Sequence, residues 1–304
     1  MVLLNPRAAG GRAAALARPV RDWLAVNAPG VALVESDSIE RSRATLQCLP
    51  RSSRVVLIGG DGTLHHMLPV LLTHRLALGV VPLGSGNDTA RALGVAGLPW
   101  AMALELAVHG PTRRMDVGEL VTPRQRVPFI SSLAAGFDAA VGRRAVEGPR
   151  WLSGMPRYLW ATLLELAALR THRVRVSADG TLCHEGDALF TSVLNTPSYG
   201  SGMPAVPGAR VADSQLDLLV AGRFGRIGTL FMLPQLLAGK HLTHSKVETW
   251  RFQSLRVESD DELPLAADGE PIASMRSFEV RVRASAISVV SARPQRDKGR
   301  PDQA

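Results

Sequence analysis

Four times before residue 94 the chain repeats one unit: a short apolar run, a polar loop, then a stretch with helical spacing. The apolar runs are Val2–Leu4, Val31–Val34, Val55–Ile58 and Leu78–Val81. The helical stretches that follow them are Arg12–Val26, Ile39–Leu49, Leu64–Leu72 and Asp88–Leu93. Strands separated by helices can lie parallel, because each helix supplies the crossover a parallel pair requires. The runs are apolar throughout rather than alternating, as strands covered on both faces are. Residues 1–112 are therefore expected to form a doubly wound parallel α/β domain.

Past Gly110-Pro111 and the Arg113-Arg114 pair the texture changes. Strand-like runs appear at Val174–Ser177, Leu189–Leu194, Leu216–Val220, Leu255–Glu258, Phe278–Val282 and Ile287–Val290. Asp179-Gly180 between two such runs predicts a hairpin turn. Trp151–Leu169 carries Met155, Leu159, Leu163, Leu166 and Leu169 near helical spacing, an apolar face for the second domain or for a lipid. Residues 113–292 are thus expected to be a mainly antiparallel, β-sandwich-like domain with one or two helices. Residues 293–304, rich in charge and proline, are expected to be a solvated, disordered tail. No internal repeat is visible beyond the strand-helix alternation.

A chain of 304 residues with 46% hydrophobic residues can build these cores, which excludes disorder along its full length. No window reaches the roughly 18 apolar residues of a membrane-spanning helix, and the start lacks the pattern of a signal peptide. A cytoplasmic protein is expected. Cys48 and Cys183 are too few for a disulfide framework and lack zinc-site spacing, so both read as buried thiols, and any metal would be held by oxygen. The net charge of +8 is almost wholly arginine, with lysine only at 240, 246 and 298. That balance reflects either an arginine-biased composition or attraction for phosphates, nucleic acid or anionic lipid. The arginines are scattered and not interleaved with aromatics, which argues against nucleic acid. Peripheral contact with an anionic membrane surface is the remaining expectation, at about 1 kcal/mol for each well-placed arginine.

In an open α/β sheet ligands gather beyond the carboxyl ends of the strands. Asn5-Pro6-Arg7-Ala8-Ala9-Gly10-Gly11, Ser36-Asp37-Ser38, Gly59-Gly60-Asp61-Gly62-Thr63 and Pro82-Leu83-Gly84-Ser85-Gly86-Asn87-Asp88 all belong there. Glycine lets backbone N–H groups approach phosphate oxygens, and a helix start behind the loop adds partial positive charge. Asp61 is suited to orient a metal–phosphate group, and Thr63 and Ser85 to donate to phosphate. Each loop alone also reads as a tight turn or a helix cap. Together on one edge they read as a phosphate site.

These motifs resemble the diacylglycerol kinase catalytic-domain family, which includes bacterial lipid kinases and sphingosine kinases. Its G-G-D-G-T stands at Gly59–Thr63, and its P-L-G-T-x-N-D at Pro82–Asp88 with Ser85 in the threonine position. The likeness continues through Ala135–Ala139, Asn195–Gly202, Asp213–Asp217 and Asp268-Gly269-Glu270. The resemblance implies an ATP-dependent kinase that phosphorylates a hydroxyl of a membrane lipid, with diacylglycerol the first expectation. It implies that Asn5, Ser36, Gly59, Gly60, Asp61, Gly62, Thr63, Gly84, Ser85, Asn87 and Asp88 hold ATP. Asp116 and Asp213, with the carbonyls of Arg210 and Gln215, match positions around Mg2+. Glu270 matches the general base and Asp268 the residue that orients the site.

The chain departs from the family where Leu64-His65-His66 stands in place of the usual Asn-Glu pair. Adjacent helical histidines point in different directions and cannot chelate one ion alone, so surface and packing roles are expected for them. Ser214 replaces a usual glycine, and Tyr199–Gly202 is a looser glycine cluster, so the acceptor loop is expected to differ. Three other readings compete: a soluble-substrate kinase of the nicotinamide-dinucleotide type, a nucleotide-binding protein without catalysis, and a basic nucleic-acid module. The late Asp268-Gly269-Glu270 and the Pro82–Asp88 motif favour the lipid kinase. A surface strand of the second domain could pair two copies into a homodimer.

Overall fold

The alternation before residue 94 folds as a parallel sheet because each strand is covered on both faces. The computed structural model describes residues 1–149, 151–152 and 155–292, so the expected disordered tail and part of the Trp151–Leu169 pattern lie outside the described residues. Strand β1 (Val2–Leu4) leads through a 3-10 segment (Ala8–Leu16) into α1 (Ala17–Asn27), then β2 (Leu33–Glu35) and α2 (Ile39–Gln47). There follow β3 (Arg54–Gly59), α3 (Asp61–Thr73), β4 (Ala77–Pro82), α4 (Asp88–Ala92) and α5 (Trp100–His109). The strands lie parallel in the order β2-β1-β3-β4. Along β3, Val55 and Leu57 enter one core with α3, while Val56 and Ile58 enter the other with α1 and α5. That split is why these runs are apolar at every position rather than at every second one.

From Thr112 the chain is antiparallel. Its elements are β5 (Thr112–Val121), β6 (Arg126–Phe129), β7 (Ser132–Ala135), α6 (Phe137–Glu147), α7 (Met155–Ala167), β8 (His172–Ala178) and β9 (Thr181–Leu194). They continue with β10 (Leu216–Gly222), α8 (Arg226–Leu237), β11 (Val247–Phe252), β12 (Ser254–Ala267) and β13 (Glu270–Val290). Asp179 and Gly180 take positive φ in the β8–β9 turn, as the dipeptide predicts. A core of Phe129, Leu218, Val220, Phe252, Leu255, Leu265 and Val280 fills the space between the strands.

Among the described residues this part holds three α-helices where one or two are expected, because the small residues of α6 blur its periodicity and α8 is apolar on nearly every side. The runs expected as two strands at Phe278–Val282 and Ile287–Val290 are one strand with a bulge between Arg283 and Ile287. The bulge aims the Ser285 N–H at Asp116. Cys48 is exposed at the end of α2 and Cys183 is half-buried, which corrects the reading of both as buried thiols. The helix end leaves Cys48 facing solvent rather than the sheet.

The final residues of β13 return to the first region, where Ser288 and Val289 pair in parallel with Ala77 and Leu78 of β4. One hydrogen-bonded sheet thus runs through both regions. The same strand begins at Glu270, so its two ends tie the late hairpin and the parallel sheet into one frame. No helix among the described residues is long and apolar enough to cross a membrane.

Candidate active site

The loops after β3 and β4 meet backbone to backbone. A Cβ on Gly60 would stand 3.0 Å from the Gly84 Cα, and one on Gly84 would stand 2.8 Å from the Gly60 Cα, so side chains at either position would part the loops. Gly60 caps α3, whose first turn holds Asp61 and Gly62. Asn87, at positive φ, accepts from the Gly84 N–H at 2.9 Å and donates to the Gly84 carbonyl at 2.6 Å, closing the second loop on itself. Asn5 donates to Thr63 Oγ1 at 2.9 Å and accepts from the Arg7 N–H, fixing the β1 loop beside α3. Ser36 is buried, donates its hydroxyl to the Ser38 carbonyl and accepts from Ser42 Oγ. Gly60, Asp61, Gly62, Gly84, Ser85 and Asp88 line a cavity, whereas Asn5, Ser36, Gly59, Thr63 and Asn87 do not.

Opposite this edge lies the β12–β13 hairpin, which turns through Asp268 and Gly269, both at positive φ. The buried Asp268 carboxylate accepts from the N–H groups of Ile130, Ser131 and Ser132 at 2.7 to 3.3 Å. It also meets His65 Nδ1 at 3.0 Å. With that many partners Asp268 anchors the hairpin. Glu270, two residues on, is only half-buried and reaches over Gly62, where a Cβ would collide with its Oε1. His66 Nε2 stands 3.9 Å from the same carboxylate. The two histidines diverge as helical neighbours must, and each finds one carboxylate of the hairpin. Sequence reasoning missed this pairing, although the histidines' place one turn behind Asp61 was the available signal.

Electrostatics concentrate on Asp61. Burial, reinforced by the charges of Asp88 and Asp268, pushes its carboxyl up to about 7. Burial also raises Asp88, against the hydrogen bonds it accepts from Ser201, Ser198 and Gly202 of the facing region. Burial works to lower His65, but its bond to Asp268 and the nearby carboxylates win, and its pKa is raised. Burial lowers His66. Three acids thus cluster at this edge, with Arg91 3.9 Å from Asp88 and His65 3.0 Å from Asp268.

The cavity has a volume of about 840 Å³ and continues inward from the loops past Asp268 and Glu270. Its deeper wall is apolar, with Phe137, Val141, Leu189, Phe190, Met203 and Leu236. One buried acid interrupts that wall: Asp138 accepts from Ser192 Oγ and the Ala139 N–H, and burial pushes its carboxyl up to about 7. Tyr158 also lines this space, its hydroxyl pushed up to about 12 chiefly by burial. A polar mouth and an apolar interior suit a ligand with a charged end and a hydrocarbon end.

The residues matched to Mg2+ lie elsewhere, and none lines the cavity. Asp116 is fully buried and accepts from the Ser214 and Ser285 N–H groups, one to each oxygen. Asp213 pairs with Arg251 and accepts from the Gln215 N–H. Arg210 and Gln215 belong to the loop that wraps Asp116, whose N–H donates to the Val211 carbonyl. Among the described residues no group of three or more His, Cys, Asp or Glu side chains could hold a metal. The visible work of Asp116 is to fasten the 210–215 loop to β5, and that of Asp213 is to tie the same loop to Arg251 of β11.

A glycine-walled edge on a parallel sheet is thus faced by an acid-bearing hairpin and backed by an apolar cavity. The chain belongs to the diacylglycerol kinase catalytic-domain family. A model described as the diacylglycerol kinase catalytic domain matches residues 1–120, and one described as the YegS C-terminal NAD kinase beta sandwich-like domain matches residues 131–291. A diacylglycerol kinase of Mycobacterium tuberculosis is 34% identical over 217 residues, covering 71% of this chain and 70% of that protein. A probable lipid kinase YegS-like of Shewanella frigidimarina is 28% identical over 240 residues, covering 76% and 74%. A putative diacylglycerol kinase structure from Bacillus anthracis shares the fold at TM-score 0.75 and 19% identity, covering 95% of this chain and 96% of that one. An NAD kinase from Archaeoglobus fulgidus, solved with ATP, shares it at TM-score 0.53 and 13% identity, covering 95% and 92%.

Proposed function

We propose that this lipid kinase transfers the γ-phosphoryl group of ATP to a hydroxyl of a membrane lipid, with diacylglycerol as the acceptor. The observation that carries the reading is the Glu270 carboxylate lying over Gly62 of the phosphate loop, with an apolar cavity behind it. ATP would lie along Gly60–Gly62 and Ser85, with the N-terminal N–H groups of α3 toward its phosphates, and Mg2+ would enter as the nucleotide's own counter-ion. Asp61 and Asp88 would hold that cation, whose charge would offset the desolvation and mutual repulsion of these carboxylates.

The acceptor's acyl chains occupy the apolar interior and bring its hydroxyl to the mouth. Glu270 takes the hydroxyl proton as the oxygen bonds to the γ-phosphorus, and the bond to the β-bridging oxygen breaks to release ADP. The half-exposed Glu270 then returns its proton to solvent. Asp268 holds the hairpin that carries Glu270 and touches no reacting atom.

Incubation with γ-labelled ATP, Mg2+ and separate acceptors tests this, the acceptors being diacylglycerol, monoacylglycerol, ceramide, sphingosine and NAD. Labelled phosphatidic acid is the expected product. Label in NADP and in no lipid would sink the reading.

A further inference from the structure

Helix α8 reads Arg-Ile-Gly-Thr-Leu-Phe-Met-Leu-Pro-Gln-Leu-Leu from residue 226 and carries one charged side chain. A helix apolar on nearly every side is normally buried, yet Thr229 is the only buried residue here. Its two faces explain the pattern. Thr229, Met232, Leu233 and Leu236 line the cavity of the active site. Ile227 and Phe231 on the other side are 73% and 70% exposed, and Leu230 and Leu237 are exposed beside them. Ile227, Leu230 and Phe231 follow helical spacing and form one stripe.

Helix α7 extends the stripe with the exposed Leu163 and Leu164. Arg226 joins the two helices by donating to the Leu166 and Ala167 carbonyls at the end of α7. A single helix therefore separates an apolar interior from an apolar exterior. Along the sequence no Asp or Glu occurs between Asp217 and Glu248, while Arg223, Arg226, Lys240 and Lys246 do; of these Arg223 pairs with Asp187, and Glu165 on α7 pairs with Arg144. Apolar stripes flanked by cations are what helices lying in an anionic bilayer surface present.

We propose that the outer face of α8, with Leu163 and Leu164 of α7, inserts into the headgroup and acyl boundary of an anionic bilayer. The lipid acceptor then passes from the bilayer into the cavity beside α8. This rests on the lipid-kinase reading and adds the surface that delivers the substrate. Ile227 and Phe231 do not line the cavity, so replacing them leaves the chemistry in place.

The test compares the wild type with Ile227→Gln/Phe231→Gln in two measurements. One is co-sedimentation with vesicles of phosphatidylcholine and phosphatidylglycerol. The other is phosphorylation of diacylglycerol held in those vesicles against a short-chain, water-dispersed diacylglycerol. The expected result is a loss of about tenfold in vesicle binding and in use of vesicle-held acceptor. Turnover of the short-chain acceptor and the thermal midpoint stay unchanged. Equal vesicle binding by the two proteins would overturn the proposal, as would a wild type that dimerises through this face and binds no vesicle. Loss of vesicle binding in the variant, with no lipid phosphorylated by the wild type, would support the docking face and refute the kinase reading.

Discussion

At the scale of single residues the site is governed by what stands close to Asp61, Gly62 and Asp268. Asp61 is a carboxyl whose folded pKa, about 7, lies above its ordinary value of 3.8. The folded state then binds the extra proton between those values, so the ligand-free protein loses stability as pH rises from about 4 to 7. Asp61→Asn is expected to flatten that loss in chemical denaturation and to abolish productive nucleotide use. His65 carries the same sign over a higher pH window. Its raised pKa adds stability below the ordinary 6.5 that disappears as pH rises through the folded value, and His65→Ala should remove this dependence. Gly62→Ala keeps a residue that suits a helix but drives the Glu270 carboxylate aside. Turnover should fall roughly 10²-fold with the thermal midpoint nearly unchanged, since a displacement of about 1 Å suffices for such a loss. The glycines, hydroxyls and acids of these loops were legible in the sequence because their chemistry is local. The partners of His65 and His66 were not, because Asp268 and Glu270 arrive from some two hundred residues away.

At the scale of elements the β12–β13 hairpin is the part that converts fold into chemistry. Three N–H groups from residues 130 to 132 converge on one carboxylate at its tip. Asp268→Ala leaves those buried donors unmatched, which should cost about 3 kcal/mol in denaturant unfolding. Amide hydrogen exchange should quicken at the hairpin tip and leave Val55–Ile58 protected. Unchanged exchange at the tip would show that the anchor lies elsewhere. Periodicity exposed the strands of the first region, since both faces of each are buried and no polar position interrupts them. It did not expose β5, β6 and β7, whose charged, proline-bearing or small-residue segments gain their strand character from pairing, β5 with β13, β6 with β5, and β7 with β12 and β9. Helix α8 escaped it for the opposite reason, being apolar on both faces with Pro234 inside.

At the scale of the whole molecule the two regions share a hydrophobic core and are stitched by polar and strand contacts. β13 pairs with β4, Asp88 binds the 198–202 loop, and His65 binds Asp268. A single cooperative transition is therefore expected, with hydrogen exchange at Val55–Ile58 and at Leu216–Val220 giving one denaturant midpoint. Two separated midpoints would mean that the regions fold independently. The sequence pointed to two kinds of sheet and to one ligand edge, but the last strand's return to β4 is a long-range pairing that no local pattern announces.

The most direct trial is single-turnover transfer from γ-labelled ATP to diacylglycerol by the wild type and by Glu270→Gln, with nucleotide affinity measured on the same preparations. Loss of a general base should slow transfer by about 10² to 10⁴ and leave nucleotide affinity intact. Equal transfer rates in the two proteins would contradict the assignment of Glu270 as the base.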